Sequence, residues 1–250
     1  MSKTVSLKAE KLNIRENWDP KVLYLLKEIY LIYKTKHIET VALHNLNLTI
    51  RKNEFLTILG PSGSGKTSLL KILSGILPCT TGRIYFQDEK QYIINLARYD
   101  YAQLTDFRRN FIGYIPQTPI FFDNLTVEEN LKVPLVVKKL YDENASKKIE
   151  EALILCNIEH RREYLMENLS GGEQQRVQVA MAIVSNPQIL IADEPNASLD
   201  SENAFLIFEL FRTIVKRRKT TVLVVTHDER ILEYSDRGLN LVDGAIREEK

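Results

Sequence analysis

Short apolar runs alternate with helical stretches along most of the chain. The strand-like runs are Phe55–Leu59, Ile112–Ile115, Ile189–Ala192, Thr221–Thr226 and Leu239–Val242. The run from Thr221 is the richest in β-branched residues and is typical of a fully buried parallel strand. An amphipathic stretch from Lys66 to Leu77 follows the first run and predicts a helix. Strands that alternate with helices predict an α/β sheet with right-handed crossovers.

The last of these runs has a different ending. Leu239–Val242 is followed by Asp243 and Gly244, a pair that is common in hairpin turns. We therefore expect an edge hairpin strand there.

Residues 118–188 interrupt the alternation and are mostly helical in pattern. Thr126 and Glu129 have the spacing of a capping box that opens a helix. Helical periodicity continues from Tyr141 to Asn157, and another helix is expected near Ser170. At the other end, residues 1–26 are polar and irregular and include the only tryptophan, Trp18. We expect them to form an extension that packs on the sheet or is partly disordered.

Composition narrows the class of protein. A length of 250 residues suits one large domain or two small ones, and 44% hydrophobic with 27% charged residues is usual for a soluble globular protein. Lysine and arginine (34) nearly cancel aspartate and glutamate (33), so the formal charge of +1 gives no reason to expect nucleic acid as a partner.

The cysteines and the lengths of the apolar runs indicate where in the cell the protein is expected. Cys79 and Cys156 lie far apart, which argues against a disulfide scaffold or a zinc site and favours a reducing, cytosolic setting. No apolar run approaches the roughly 18 residues that a bilayer crossing needs, and the N-terminus lacks the apolar core of a signal peptide. We therefore expect a soluble protein that stays inside the cell.

A glycine-rich loop stands between the first predicted strand and the helix that follows it. Residues 60–67 read Gly-Pro-Ser-Gly-Ser-Gly-Lys-Thr and fit the phosphate-loop pattern G-x-x-x-x-G-K-[ST]. Glycines let backbone N–H groups turn toward phosphate, and the helix N-terminus adds partial positive charge. Lys66 is expected to reach the β- and γ-phosphates, and the Thr67 hydroxyl to hold Mg²⁺. The candidate nucleotide-binding residues here are Gly60, Pro61, Ser62, Gly63, Ser64, Gly65, Lys66, Thr67 and Ser68.

The predicted strand at Ile189–Ala192 ends in two acids, Asp193 and Glu194. Carboxylates at the C-terminal ends of parallel strands point into the crevice where such sheets bind ligands. Asp193 suits a direct or water-mediated contact with Mg²⁺, and Glu194 is placed to act as the general base that polarises an attacking water.

A second anion-facing helix start is predicted more than 100 residues after the first. Residues 169–176 read Leu-Ser-Gly-Gly-Glu-Gln-Gln-Arg, a serine and two glycines before a helical stretch. One phosphate chain needs one cradle, so the two sites bind different anions, or the second faces a nucleotide held by another copy of the chain. The residues alone leave both possibilities open, together with that of a simple glycine-capped loop.

The chain resembles the ATP-binding-cassette (ABC) ATPases in the order of three features: the phosphate loop, this second motif, which resembles the family's signature motif, and the strand that ends in Asp193 and Glu194. The likeness runs from about Ile29 to the C-terminus. The resemblance implies an α/β P-loop NTPase core with a mostly parallel sheet, an antiparallel β edge and a helical signature subdomain at about 118–188. Residues 27–250 would form this ATP-binding domain. In the family, two cassettes dimerise head to tail, so Ser170, Gly171 and Gly172 would contact an ATP held by a second copy.

Further positions take their expected roles from the same resemblance. Gln117 resembles the loop glutamine that contacts Mg²⁺ and water and faces the transmembrane partner, although Pro116 replaces an aromatic residue that many relatives carry. His227 resembles the switch histidine at the γ-phosphate. Tyr33 resembles the aromatic residue that stacks on adenine, with the nearby Tyr30 or a plain structural role as the alternative.

The Ser198–Asp200 segment resembles the loop that crosses the dimer interface, which makes Asp200 a candidate contact. Two departures accompany it. Asn196 stands where the family usually has threonine. Met181, on the helix that follows the second glycine motif, stands where relatives often have arginine.

The function implied is that of the nucleotide-binding subunit of an ABC transporter, which binds and hydrolyses MgATP as a dimer and drives a separate integral-membrane permease. Its place would be cytoplasmic, on the inner face of the membrane. Residues 108–117 and 125–131 resemble the lipoprotein-releasing, macrolide-efflux and antimicrobial-peptide-resistance type. The alternative is a non-transport cassette, either associated with nucleic acid or ribosomes or regulating a membrane cell-wall or division complex.

Overall fold

Two β-sheets frame the protein in the computed structural model, which describes residues 18–35 and 38–249. The strands are β1 (Val22–Lys34), β2 (Glu39–Arg51), β3 (Phe55–Leu59), β4 (Thr81–Gln87), β5 (Ile93–Asn95), β6 (Ile112–Ile115), β7 (Ile189–Asp193), β8 (Thr221–Thr226), β9 (Arg237–Val242) and β10 (Ala245–Glu249). One sheet is antiparallel, in the order β2-β1-β4-β5. The larger sheet has the order β10-β9-β3-β8-β7-β6 and is parallel from β9 to β6. The predicted mostly parallel sheet with an antiparallel β edge is confirmed.

Helices cover both faces of the larger sheet. They are α1 (Lys66–Leu73), α2 (Tyr101–Phe111), α3 (Val127–Val137), α4 (Ala145–Leu155), α5 (Gly171–Ile183) and α6 (Ser201–Arg218). Alternate residues of β8 serve two separate cores. Val222 and Val224 pack in a core with α3 to α6, whereas Leu223 and Val225 pack in a core with α1, α2 and the antiparallel sheet. A strand buried on both faces must be apolar throughout, which explains its β-branched sequence.

Two predicted boundaries are corrected at the ends of the sheets. The irregular N-terminal stretch was expected to reach residue 26, but β1 begins at Val22, and its buried residues pack in the core with α1 and the antiparallel sheet. Residues 1–17 of the predicted extension lie outside the described residues. The run at Leu239–Val242 does form a hairpin strand, but β9 pairs with β3 as well as with β10, so β10 is the edge.

Two helices are shorter than their sequence patterns predict, because a left-handed residue ends each. Helix α1 stops at Leu73 instead of Leu77, since Gly75 has φ 68° and the Ile76 N–H donates back to the Lys71 carbonyl at 2.8 Å. Helix α4 covers Ala145–Leu155 within the predicted range 141–157 and ends in the same way at Asn157, with φ 51°.

Residues 118–188 contain α3, α4 and α5. The predicted capping box of α3 is confirmed, because the Glu129 N–H donates to Thr126 Oγ1 at 3.2 Å and the Thr126 N–H donates to Glu129 Oε2 at 2.8 Å. The assignment of this segment as a separate subdomain stays a prediction. Among residues 18–35 and 38–249, no helix is long and apolar enough to cross a membrane.

The central strand gives the first testable prediction. Leu223→Ala removes a fully buried side chain from the core with α1 and α2, and it should lower the free energy of unfolding by about 2–5 kcal/mol. Urea denaturation followed by circular dichroism measures the loss. Val136→Ala, at a side chain that is 58% exposed, is the control and should change stability by less than about 0.5 kcal/mol. Equal effects of the two substitutions would contradict the assigned core.

Candidate functional site

Three strands of the larger sheet end at nearly the same level. Leu59 of β3 pairs with Thr226 of β8, and Asp193 of β7 pairs with Val225 of β8. The residues that follow these ends are Gly60, Glu194 and His227. Residues distant in sequence are therefore gathered at the carboxyl edge of the sheet, where open α/β folds bind their ligands.

The glycines of the predicted phosphate loop are required by backbone geometry. Gly63 and Gly65 have φ values of 80° and 102°, which side-chain-bearing residues rarely adopt. A Cβ at Gly60 would lie 2.2 Å from the Leu241 carbonyl oxygen, and one at Gly65 would lie 2.6 Å from that of Ala42. The loop leads directly into α1, whose first N–H groups have no partners within the helix. This is the geometry of an anion-binding helix start.

A charged cluster lies beside the loop. The Lys66 ammonium donates to the carbonyls of Gly60 (2.7 Å) and Pro61 (3.0 Å) and lies 3.7 Å from Glu194 Oε1. His227 Nδ1 lies 3.0 Å from Glu194 Oε2, and the His227 N–H donates to the same oxygen at 3.3 Å. The Glu194 carboxylate is thus held between the phosphate-loop lysine and the residue after β8. Glu194 itself has φ 47°, a left-handed conformation at the point where the chain leaves β7.

A hydroxyl and a carboxylate meet across the loop in a way that suits Mg²⁺. Thr67 Oγ1 donates to Asp193 Oδ1 at 3.3 Å. Burial raises the pKa of Asp193, a rise that the Thr67 hydrogen bond opposes and the neighbouring Glu194 charge increases. Magnesium prefers hard oxygen ligands from one or two side chains together with phosphate oxygens. Thr67 and Asp193 therefore fit the ion.

Ser62, Gly63 and residues 65–68 line one cavity of about 640 Å³, a volume in the range of small-molecule sites. The predicted site residues Gly60, Pro61, Ser64 and Asp193 are not among its lining residues. Tyr33, Gln117, Glu194 and His227 line it together with the loop residues. The Tyr33 hydroxyl lies 3.2 Å from Ser68 Oγ, so the ring stands beside the start of α1, whereas Tyr30 is not among the lining residues. Sequence reasoning missed the other wall, which β2 supplies through Thr40, Val41 and Ala42. Nothing in the β2 sequence distinguishes those residues from ordinary strand positions.

The second glycine motif lies elsewhere, since Ser170, Gly171, Gly172 and Asp200 do not line the cavity. Ser170 caps α5, with its Oγ accepting from the Glu173 N–H at 3.3 Å, and both Ser170 and Gly171 are exposed. A Cβ at Gly172 would lie 2.1 Å from Asn203 Oδ1.

Asn203 joins this motif to the predicted interface loop. Its amide donates to both carboxylate oxygens of Asp200 at 3.1 Å, and Asp200 in turn caps α6. The helix start at Ser170 and the Asp200 loop therefore form one surface, which we call the signature surface. Sequence reasoning missed Asn203, because the residue that marks a capping box three positions after the cap is glutamate or glutamine and not asparagine.

The three departures noted in the sequence have defined positions. Asn196 accepts from the Thr226 hydroxyl at 3.3 Å and donates to Asp228 Oδ2 at 2.9 Å, so it links the chain after β7 to the chain around His227. Pro116 and Met181 both line a mostly apolar groove beside β6. Met181 also packs against the core with α3 to α6.

Comparison with known proteins agrees with this geometry. The family model described as "ABC transporter" matches residues 43–197. The chain belongs to this family. It is therefore an ABC ATPase nucleotide-binding subunit, which uses ATP and Mg²⁺.

Individual relatives give the same result. The chain is 36% identical over 210 residues to the lipoprotein-releasing system ATP-binding protein LolD 1 of Rhodopseudomonas palustris, covering 84% of this chain and 91% of the relative. It is 37% identical over 223 residues to a putative ABC transporter ATP-binding protein of Mycoplasma pneumoniae, covering 89% of this chain but only 46% of that longer relative. The resemblance to ABC subunits of the lipoprotein-releasing type is confirmed.

A solved structure extends the likeness to the fold. An ABC cassette of Methanocaldococcus jannaschii, described as a dimeric post-hydrolysis state bound to ADP and Pi, matches with a TM-score of 0.81 and 34% identity, over 91% of this chain and 98% of that one. The P-loop NTPase architecture is confirmed. The names of these relatives favour a transport ATPase over the non-transport alternative. The catalytic and binding roles of the individual residues remain predictions.

The environment of Asp193 predicts that its ionised carboxylate lowers the free energy of unfolding. Because its pKa is raised in the folded state, the protein loses stability as pH rises from the ordinary value of 3.8 through the folded-state pKa. Asp193→Asn should therefore increase the free energy of unfolding at pH 7, and the gain should vanish near pH 3.8 and below. It should also reduce the thermal stabilisation given by MgATP. Urea titrations at several pH values measure the first effect, with the exposed Asp123→Asn as control. A loss of stability at pH 7 would refute this assignment.

Proposed function

We propose that two copies of this chain enclose two MgATP molecules head to tail and drive a separate integral-membrane permease by hydrolysing them. The observation that carries this proposal is the separation of the two predicted anion sites. Ser62, Gly63 and residues 65–68 line the cavity, whereas Ser170 and Gly171 are exposed on a surface that does not line it. A helix start that faces outward can complete the ATP site of a second copy, but it adds nothing to the site of its own copy.

Within each copy, the phosphate loop would bind the nucleotide. Backbone N–H groups at Gly63 and Gly65 and the start of α1 would surround the phosphate chain, while Lys66 would leave its two carbonyl partners to neutralise phosphate charge. Tyr33 would stack on adenine at the far end of the cavity. Thr67 and Asp193 would hold Mg²⁺ with help from Gln117, and the ion supplies charge neutralisation at the β- and γ-phosphate oxygens.

Glu194 and His227 would carry out the chemical step. Glu194 is positioned to accept a proton from the attacking water, since its carboxylate is fixed by His227 at one oxygen and lies near Lys66 at the other. His227 is 71% exposed at its side chain and can turn from Glu194 toward the γ-phosphate. The partner copy would supply Ser170, Gly171, Gly172 and Asp200, whose dipoles stabilise the developing phosphate charge.

A mostly apolar groove supports the permease as a partner. Its lining includes Pro116 and Ile120 on either side of Gln117, with Pro134 and Met181 on the facing helices. The groove thus adjoins the ATP cavity through Gln117, which lines that cavity. A permease segment seated there would sense the nucleotide and hold the chain on the inner face of the membrane. No nucleic acid is expected as a partner.

Glu194→Gln tests this proposal. The substitution keeps size and removes the base, so turnover should fall by about two to four orders of magnitude while MgATP still binds. Binding without hydrolysis should trap the enclosed dimer, which size-exclusion chromatography with light scattering would detect with MgATP and not with MgADP. The control Glu202→Gln, at an exposed residue in the first turn of α6, should behave as wild type. Wild-type turnover in Glu194→Gln would refute the role of this residue, and a variant that stays monomeric with MgATP bound would refute the dimer.

A further inference from the structure

A second cavity lies at the opposite edge of the larger sheet from the ATP site. It measures about 550 Å³ and is bounded by the turn before β3, the loop before β7 and the loop before β8. Its lining includes Lys52, Arg217, Arg218 and Lys219, with Glu89 as the one carboxylate that lines it among the described residues. We name this set of residues the basic cleft. A chain with a formal charge of only +1 thus concentrates positive charge at a distance from its nucleotide site.

Helix electrostatics account for part of this charge. Arg217 and Arg218 lie in the last turn of α6, where cations stabilise the negative end of the helix dipole. Arg218 is also partly neutralised, because it lies 3.5 Å from Glu151 and donates to Asn186 Oδ1. The dipole gives no reason for Lys52, which reaches the cleft from another element and is half-buried.

The positive charges of the cleft are available to a ligand. Arg217 and Lys219 are exposed, and among residues 18–35 and 38–249 the structure pairs neither with a carboxylate. Lys52 donates to the neutral Gln87 amide oxygen, and burial lowers its pKa while the more distant Asp88 opposes that shift. An anion in the cleft would compensate this partly desolvated ammonium.

A buried amide oxygen beside the cleft favours a ligand that also carries hydrogen-bond donors. Gln188 lines the cleft, and its Oε1 is buried without a hydrogen-bond donor among the described residues. A buried acceptor without a partner is unfavourable, and a turn of the Gln188 side chain into the cleft would let a donor on a ligand satisfy it. Inorganic phosphate and its polymers offer acceptors and negative charge but few donors at neutral pH. A peptide with acidic side chains offers carboxylates for the cations and backbone N–H groups for Gln188.

We infer that the basic cleft binds an acidic peptide segment of a partner protein. The segment that precedes Trp18 in this chain is a poor occupant, because residues 1–17 carry four lysines and arginines against two glutamates. Strands β7 and β8 begin at the cleft and end at Asp193 and Thr226, beside the ATP cavity. A partner bound there sits at the base of the strands that carry Glu194 and His227.

A binding measurement on the full chain tests the inference. Fluorescein-labelled hexaglutamate is titrated with protein at low salt and followed by anisotropy, with MgADP present so that the phosphate loop is filled. Saturable binding is expected. Arg217→Gln/Lys219→Gln should weaken it about tenfold, since each removes one charge-assisted contact. Lys27→Gln/Lys216→Gln, an equal charge change at exposed residues that do not line the cleft, should bind within about twofold of wild type.

A further variant distinguishes binding of a peptide from binding of a simple anion. Gln188→Met keeps the length of the side chain and removes the acceptor, so it should weaken hexaglutamate binding about two- to tenfold. Thermal unfolding of every variant confirms that the chain is folded. Three results would each overturn the inference: no saturable binding to the wild type, equal weakening in the cleft and control variants, or unchanged binding in Gln188→Met together with displacement by inorganic pyrophosphate, which would assign the cleft to free phosphate.

Discussion

The common level at which β3, β7 and β8 end is the constraint on which the rest of the site depends. Residues paired across these strands fix Gly60, Glu194 and His227 beside one another. In the sequence, Gly60 and His227 are 167 positions apart. The contacts among Lys66, Glu194 and His227 follow from that register. A slip of one residue in β7 would turn Asp193 to the other face of the sheet and separate Glu194, which follows it, from Lys66. The two cores on either face of the sheet oppose such a slip, because every residue of β7 and of β8 is buried.

The same framework accounts for the proposal that each ATP site needs two chains. Helix α5 begins on a surface shared with Asp200 through Asn203, away from the cavity that the phosphate loop lines. The two segments pack closely at Gly172, because a side chain there would collide with Asn203. The signature surface and the ATP cavity are therefore separate parts of the surface of one chain. An ATP-dependent function that needs both faces needs two copies.

Much of the ATP cavity was predictable because the residues with chemical roles belong to short, local sequence motifs. The phosphate loop and the Asp193–Glu194 pair follow apolar strands directly, and parallel pairing then brings them together at the edge of a sheet. The strand ends near Gln117 and His227 also follow from apolar runs, but their roles came from family resemblance.

Other features depend on contacts between distant segments and were not predictable. The cavity wall from β2 and the length of β1 arise from packing across the antiparallel sheet. Helices α2 and α6, by contrast, begin at the capping residues Asp100 and Asp200, which are local signals that the sequence analysis did not use. Helix ends at Gly75 and Asn157 were local signals that periodicity alone overlooked. The basic cleft is assembled from residues that carry no motif, since Lys52 and Arg217 are more than 160 positions apart in the sequence (217 minus 52) and meet only through the sheet.

The central claim is that each ATP site is built from two chains, and mixing two defective chains tests it most directly. Lys66→Ala spoils the phosphate loop and leaves the signature surface sound, whereas Ser170→Arg does the reverse. A heterodimer has one site with both defects and one with neither, so ATPase activity that is absent from each variant alone should return on mixing. Wild-type activity in Ser170→Arg alone would contradict the claim, and so would the absence of any recovery once light scattering or cross-linking has shown that heterodimers form.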